Sequence, residues 1–141
     1  MQYIRITSEN IDSEHICCAM SGKQSVAKKA WLKERFAEGL VFYRSEERGK
    51  CFIEYIPAES AWVPIDAPGY LYINCLWVSG AMKGHGCSND LLEKCLRDAK
   101  AQGKKGICIS DIFRRQWLKI FHSGSFRDPC ETEGWKIYSP I

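Results

Sequence analysis

The sequence predicts an α/β fold, a mixed sheet containing one βαβ crossover, and three observations carry that expectation. Residues 70–78 read Tyr-Leu-Tyr-Ile-Asn-Cys-Leu-Trp-Val, apolar at nearly every position, as a strand covered on both faces should be. A glycine-rich turn, Ser-Gly-Ala-Met-Lys-Gly-His-Gly, follows directly at 79–86. Helical periodicity then starts near Ser88, places Leu91, Leu92, Cys95, Leu96 and Ala99 on one stripe, and stops at Gly103 before a short apolar run at Gly106–Ser110. Two strands joined through a helix in this way lie parallel. The 141 residues are expected to form one domain spanning 1–141.

The remaining elements are read in chain order. Gln2–Thr7 alternates and predicts a first strand. Ile11–Met20 is expected to be a short helix capped by Asp12 or Ser13. Ser25 is expected to cap a second helix running through Glu38, with Val26, Ala27, Ala30, Trp31 and Phe36 inward and Lys28, Lys29, Lys33 and Glu34 in water. Gly39 supplies the left-handed stop. Leu40–Arg44 and Cys51–Pro57 form a hairpin around a charged turn. Pro57–Gly69, with Pro57, Pro64, Pro68 and Gly69, reads as a loop or as a bent edge strand followed by a loop. In the tail, Ile112–Phe121 reads as a helix and Gly134–Ser139 as a last strand.

Composition excludes several classes. Hydrophobic residues make up 45% and charged residues 26%, ordinary for a globular domain. No apolar run is long enough to span a bilayer, and the N-terminus lacks a secretion signal, so a cytoplasmic protein with no membrane partner is expected. A net charge of +3 is too small to argue for nucleic acid. Lys94, Arg97, Lys100, Lys104 and Lys105 read first as a solvated helix face and second as a weak attraction for a polyanion. The eight cysteines include no Cys-x-x-Cys pair and no zinc spacing, so no metal site is expected. Cys75, Cys95 and Cys108 read as reduced core thiols. Cys87, at a helix N-terminus, is the one position where a thiolate is favoured, with His85 the only close base.

The glycine loop carries the chemistry. Gly84 and Gly86 let backbone N–H groups face an anion without Cβ atoms in the way, and the helix behind them adds unpaired donors and the positive end of its dipole. Gly84-x-Gly86 lacks the third glycine of a dinucleotide fingerprint, and no Gly-Lys-Ser/Thr follows as in a Walker loop. Ala81-Met-Lys-Gly-His-Gly86 resembles motif A of the GNAT superfamily of N-acetyltransferases, Gln/Arg-x-x-Gly-x-Gly/Ala after a central strand, except that Ala81 stands where Gln or Arg is usual. The flanking text, Phe52-Ile-Glu-Tyr-Ile-Pro57 and Tyr72–Gly80, resembles a group of microbial GNAT proteins, and the resemblance covers roughly Met1 to Ser110.

That resemblance implies a mostly antiparallel central sheet and acetyl-CoA as cosubstrate. Main-chain groups of Lys83, Gly84, His85, Gly86, Cys87 and Ser88 would hold the diphosphate, and those of Leu76, Trp77 and Val78 the pantetheine arm. One N–H of the latter stretch would face the oxyanion, a contribution of about 3 kcal/mol when preorganised. Glu54 is the candidate base and Asn74 a candidate substrate contact; each has an alternative, Glu54 facing solvent and Asn74 satisfied structurally. Trp62 is either core or the wall of an acceptor pocket. The implied function is acetyl transfer to a primary amine of a small molecule or peptide. The alternative is a non-catalytic CoA-binding or protein-interaction module, favoured by Ala81 and by a tail that departs from the family as a divergent ending, a truncation or a frame change. A missing terminal strand would leave an edge for a homodimer.

Overall fold

The computed structural model describes residues 2–16, 22–62, 68–111, 117–122 and 135–138. The chain divides into two units, Met1–Tyr55 with Cys75–Leu92, and Ile56–Asn74 with Glu93–Ile141. Strand β4 (Tyr70–Val78) and helix α2 (Cys87–Ala101) contribute residues to both.

In the first unit, β1 (Tyr3–Ile6), β2 (Val41–Ser45) and β3 (Cys51–Pro57) pair antiparallel in chain order, with Ile4 opposite Arg44 and Phe42 opposite Glu54. Ile6, Ile11, Leu32, Phe42, Ile53 and Tyr55 are fully buried and form its core. Phe42 stacks on Phe52 with ring centroids 5.3 Å apart, and Phe52 on Trp77 at 6.0 Å. Such offset pairs add roughly 1 kcal/mol each beyond the area they bury.

Two expectations fail in this unit. The helix expected at Ile11–Met20 is not formed over its described part: residues 8–13 are turns, and 17–21 lie outside the described residues. The Asn10 side chain is the reason. Its Oδ1 accepts the Thr7 N–H at 2.8 Å and its Nδ2 donates to the Arg5 carbonyl at 3.0 Å, so local side-chain bonds compete with a helix. Helix α1 (Lys23–Phe36) begins after Gly22, at φ +59°, and Ser25 caps nothing. Its inward face is also rotated from the expected one. Leu32 is the buried residue, Lys28, Trp31, Arg35 and Phe36 are half-buried, Ala27 and Ala30 are exposed, and Val26 is 70% exposed. The Lys28 ammonium sits 2.8 Å from Glu54 Oε1 and 4.5 Å from the Trp31 ring centroid. A buried carboxylate on β3 thus draws a lysine onto the face that apolar counting assigns to Val26.

In the second unit, the first half of β4 runs parallel to β5 (Gly106–Asp111), from Tyr70 opposite Gly106 to Ile73 opposite Ile109. Strand β6 (Trp117–His122) pairs antiparallel with β5, and β7 (Trp135–Tyr138) antiparallel with β6. The expected helix over Ile112–Phe121 is therefore overturned for 117–121, which form strand; 112–116 lie outside the described residues. The expected last strand is present as β7. Leu71, Tyr72, Ile73, Cys95, Ala99, Ile107 and Cys108 are buried here. Burial pushes the Cys108 thiol up to about 12, and that of Cys95 well above its ordinary value, as inert core thiols require. Gly69, at φ +83°, donates its N–H to Glu59 Oε1 at 2.6 Å and accepts from the Lys105 N–H at 2.7 Å. The Gly69 bond holds the Glu59 carboxyl below its ordinary value.

The mixed α/β fold read from the sequence is borne out. Continuous burial of β4 is not: Leu71–Ile73 are buried, Cys75 is exposed, and Leu76–Val78 are half-buried. Among the described residues no helix is long and apolar enough to cross a membrane.

Candidate functional site

The loop after β4 belongs wholly to the first unit. Ser79 donates its N–H to the Lys50 carbonyl at 2.7 Å, which fixes where the strand ends. A 3-10 turn follows at Gly80–Met82. Within it the Lys83 N–H donates to the Gly80 carbonyl at 3.4 Å and the His85 N–H to the Met82 carbonyl at 3.2 Å. Gly84 and Gly86 then take φ +84° and +78°, a region that side chains with a Cβ rarely enter. Helix α2 starts at Cys87, and the Asp90 N–H closes its first turn on the Gly86 carbonyl at 3.0 Å.

This geometry leaves a defined set of donors. The N–H groups of Gly84, Gly86, Cys87 and Ser88 have no acceptor among the described residues. Those of Lys83 and His85, assigned to the cofactor from the sequence, are used inside the loop instead. An open cavity of about 470 Å³ lies over them, lined by Leu76, Trp77, Val78, Met82, Lys83, Gly84, Gly86, Cys87 and Ser88. Eight of the nine residues expected to bind cofactor are in this lining; His85 is absent from it and exposed. Met82 was missed, and its place inside the turn between Gly80 and Gly84 is the signal that could have found it. Unspent amides, two glycines without Cβ atoms, the Lys83 cation and no carboxylate in the lining among the described residues fit a diphosphate.

The other candidates sit elsewhere. Glu54 is 2% exposed on β3, so it does not face solvent, and its carboxylate is held by Lys28. Asn74 is half-buried on β4 and belongs to the second unit. The Cys87 thiol is buried and hydrogen-bonded with Cys51, whose own thiol is pushed up to about 11 by burial and then by Cys87. Trp62 is 64% exposed.

Sequence reading gave His15 no role, yet it helps line a second, water-sized pocket of the first unit, of about 10 Å³. Burial, then the charges of Arg44 and Arg48, hold His15 below its ordinary value. The folded protein therefore binds a proton here less readily than the unfolded chain, and the stability that results is present above the unfolded value and lost as pH falls. Melting temperature is expected to drop as the pH is lowered from about 7 through about 6. His15→Gln is expected to flatten that slope in thermal melts.

No protein-family model matches the chain. It is 60% identical over 111 residues to the Bacillus subtilis protein named Uncharacterized N-acetyltransferase YoaP, a match covering 76% of this chain and 44% of that protein. The chain thus spans less than half the length of this relative. An acetyltransferase of GNAT family from Staphylococcus aureus Mu50 superposes with a TM-score of 0.56 at 11% identity, covering 79% of this chain and 73% of that one. The chain carries the GNAT acetyltransferase fold. A predicted acetyltransferase from Clostridium acetobutylicum, solved with acetyl-CoA, shares the GNAT fold at a TM-score of 0.53 and 11% identity, over 78% of this chain and 80% of that one. The resemblance to GNAT proteins read from the glycine loop is borne out, and in this GNAT fold the loop follows β4 and opens α2.

Proposed function

We propose that the chain is an acetyl-CoA-dependent N-acetyltransferase that moves an acetyl group directly to a primary amine of a small molecule or peptide. The observation that carries this reading is the open cavity over the free amides of Gly84, Gly86, Cys87 and Ser88. Acetyl-CoA, when bound, supplies an acyl group already activated as a thioester. The four amides and Lys83 hold the diphosphate, and main-chain groups of Leu76–Val78, on the cavity wall, orient the arm and polarise the carbonyl. Direct transfer is favoured because the cysteine nearest the loop has its thiol buried against Cys51. We place the activity in one domain and in the cytoplasm; five free thiols among the described residues suit a reducing compartment.

Calorimetry with acetyl-CoA, followed by thiol release with a panel of amines, tests the proposal. Binding in roughly the micromolar range and turnover with at least one amine are expected. No binding overturns the reading. Binding without turnover for any amine favours the non-catalytic module instead, a reading supported by Ala81 at the first motif position.

The role of Glu54 is tested by Glu54→Gln. Loss of kcat with retained acetyl-CoA affinity marks a base; loss of thermal stability alone marks a structural partner of Lys28. The 2.8 Å pair, and the absence of Glu54 from the lining of both cavities, support the second role. We therefore expect kcat to stay within about threefold, well short of the hundredfold or more that losing a positioned base costs.

A further inference from the structure

The loop that carries the free amides is tied at both of its ends to the start of β3, all within the first unit. It begins at Ser79, whose N–H donates to the Lys50 carbonyl at 2.7 Å. It ends at Cys87, the first residue of α2, whose thiol is hydrogen-bonded with that of Cys51, the first residue of β3. Residues 50 and 51 thus hold the two ends of the segment 79–87. One tie is a backbone hydrogen bond. The other is a pair of thiols, a contact that a two-electron oxidation turns covalent.

The two sulfurs differ in setting. Cys51 is buried in the hairpin, where its N–H donates to Ser45 Oγ at 3.3 Å and its carbonyl accepts from the same hydroxyl at 3.4 Å. Burial, then Cys87 beside it, hold its thiol in the protonated form. The Cys87 side chain is also buried, yet it belongs to the lining of the open cavity. It opens a helix of 15 residues, whose dipole favours a thiolate at that end. Asp90, whose charge opposes that thiolate, is engaged by the Tyr3 hydroxyl at 2.8 Å. Cys87 is therefore the thiol that an oxidant entering from the cavity meets first, and Cys51 stands ready to resolve it.

We propose that Cys51 and Cys87 are a redox-responsive pair, which closes to a disulfide under hydrogen peroxide and so weakens the hold of the loop on acetyl-CoA. The proposal rests on the acetyl-CoA reading above. The Cys87 thiolate attacks one peroxide oxygen, the O–O bond breaks, and hydroxide leaves to take up a proton as water. The Cys51 thiol then gives up its proton and attacks the Cys87 sulfenic sulfur, forming the S–S bond and expelling a second water. In sum, two thiols and one peroxide become one disulfide and two waters, the sulfurs losing two electrons and the peroxide gaining them. Joining the sulfurs brings them roughly 1.5 Å closer than two thiols in contact. Cys51 is pinned through Ser45, so the displacement falls on Cys87 and the loop before it, where Gly84 and Gly86 have open space beside them. The amides of Gly84, Gly86, Cys87 and Ser88 are then turned from the direction in which they face the diphosphate, and hydrogen bonds weaken steeply with misalignment.

The test compares the reduced 141-residue protein with the same protein after one equivalent of hydrogen peroxide. Peptide mapping without reductant is expected to find Cys51 linked to Cys87. Calorimetry is expected to show acetyl-CoA bound about tenfold more weakly by the oxidised protein, with full affinity restored by dithiothreitol. Cys51→Ala keeps Cys87 and every loop amide but removes the resolving thiol. When reduced it is expected to bind acetyl-CoA as wild type does, and after peroxide to lose less than about threefold in affinity. A map without the Cys51–Cys87 link, or a linked protein with unchanged affinity, overturns the switch while leaving acetyl-CoA binding standing. An equal loss in Cys51→Ala assigns the effect to other thiols and overturns it as well. Absence of acetyl-CoA binding by the reduced protein overturns the transferase reading and the switch with it.

Discussion

Replacing Gly84 and Gly86 together by alanine is expected to weaken acetyl-CoA binding by about 100-fold, with only a small loss of fold stability. Both residues lie at positive φ, +84° and +78°, and an L-residue there costs roughly 1–2 kcal/mol. A Cβ built on either meets nothing within 4 Å, so the free protein pays no steric penalty and the backbone preference alone acts. The exposed loop relieves that strain by turning its peptide units, which disperses the amides of Gly84, Gly86, Cys87 and Ser88. About 1.4 kcal/mol from each site is a factor of ten each in affinity. Calorimetry with CoA reads the loss, and a thermal melt checks that the fold survives. Unchanged affinity in the double variant would remove the loop from the binding site.

Lys28→Met is expected to lower stability by about 2 kcal/mol, and Glu54→Gln added to it to restore most of that loss. Glu54 is buried, and the ammonium 2.8 Å away is its charge partner across the interface of α1 with β3. Deleting one member of such a pair leaves a buried carboxylate undercompensated, a loss of about 3–5 kcal/mol when the pair is fully enclosed. The Lys28 side chain is 27% exposed, so the lower figure is adopted. A neutral amide at 54 removes the charge that needs compensating. For a domain of this size the single variant should melt roughly 8 °C lower, and the double variant within about 3 °C of wild type. A double variant no more stable than Lys28→Met would show that the lysine acts through its packing on Trp31 instead.

What sequence reading captured and what it missed follow from the range of the forces involved. The bounds of β3 and β4 match the expected Cys51–Pro57 and Tyr70–Val78, because β-branched and aromatic runs between turn residues are local signals. The glycine loop was legible for the same reason: positive φ needs glycine wherever the loop sits. The face of α1 was not legible, since it is set by Glu54, a residue on another element. The Trp117–Phe121 part of the expected Ile112–Phe121 helix was misread because four apolar residues around Lys119 satisfy helix and strand templates alike, and only the ladder with β5 decides. The division of labour among the loop amides was invisible for a further reason. Whether Lys83 or Gly84 keeps a free N–H depends on the 3-10 turn at Gly80–Met82, and no side chain announces that turn. His15 escaped notice because Arg44, its neighbour in the cavity, comes from a strand some thirty residues downstream.

The exposure of Cys75 on β4 carries a practical corollary. Cys75 is the exposed thiol among the five described cysteines, while Cys51, Cys87, Cys95 and Cys108 are buried. A mild alkylating dye should mark Cys75 ahead of those four, placing a fluorophore one residue from Leu76 on the cavity wall. Occupancy of that wall would then be readable as a change in emission, without any need for turnover.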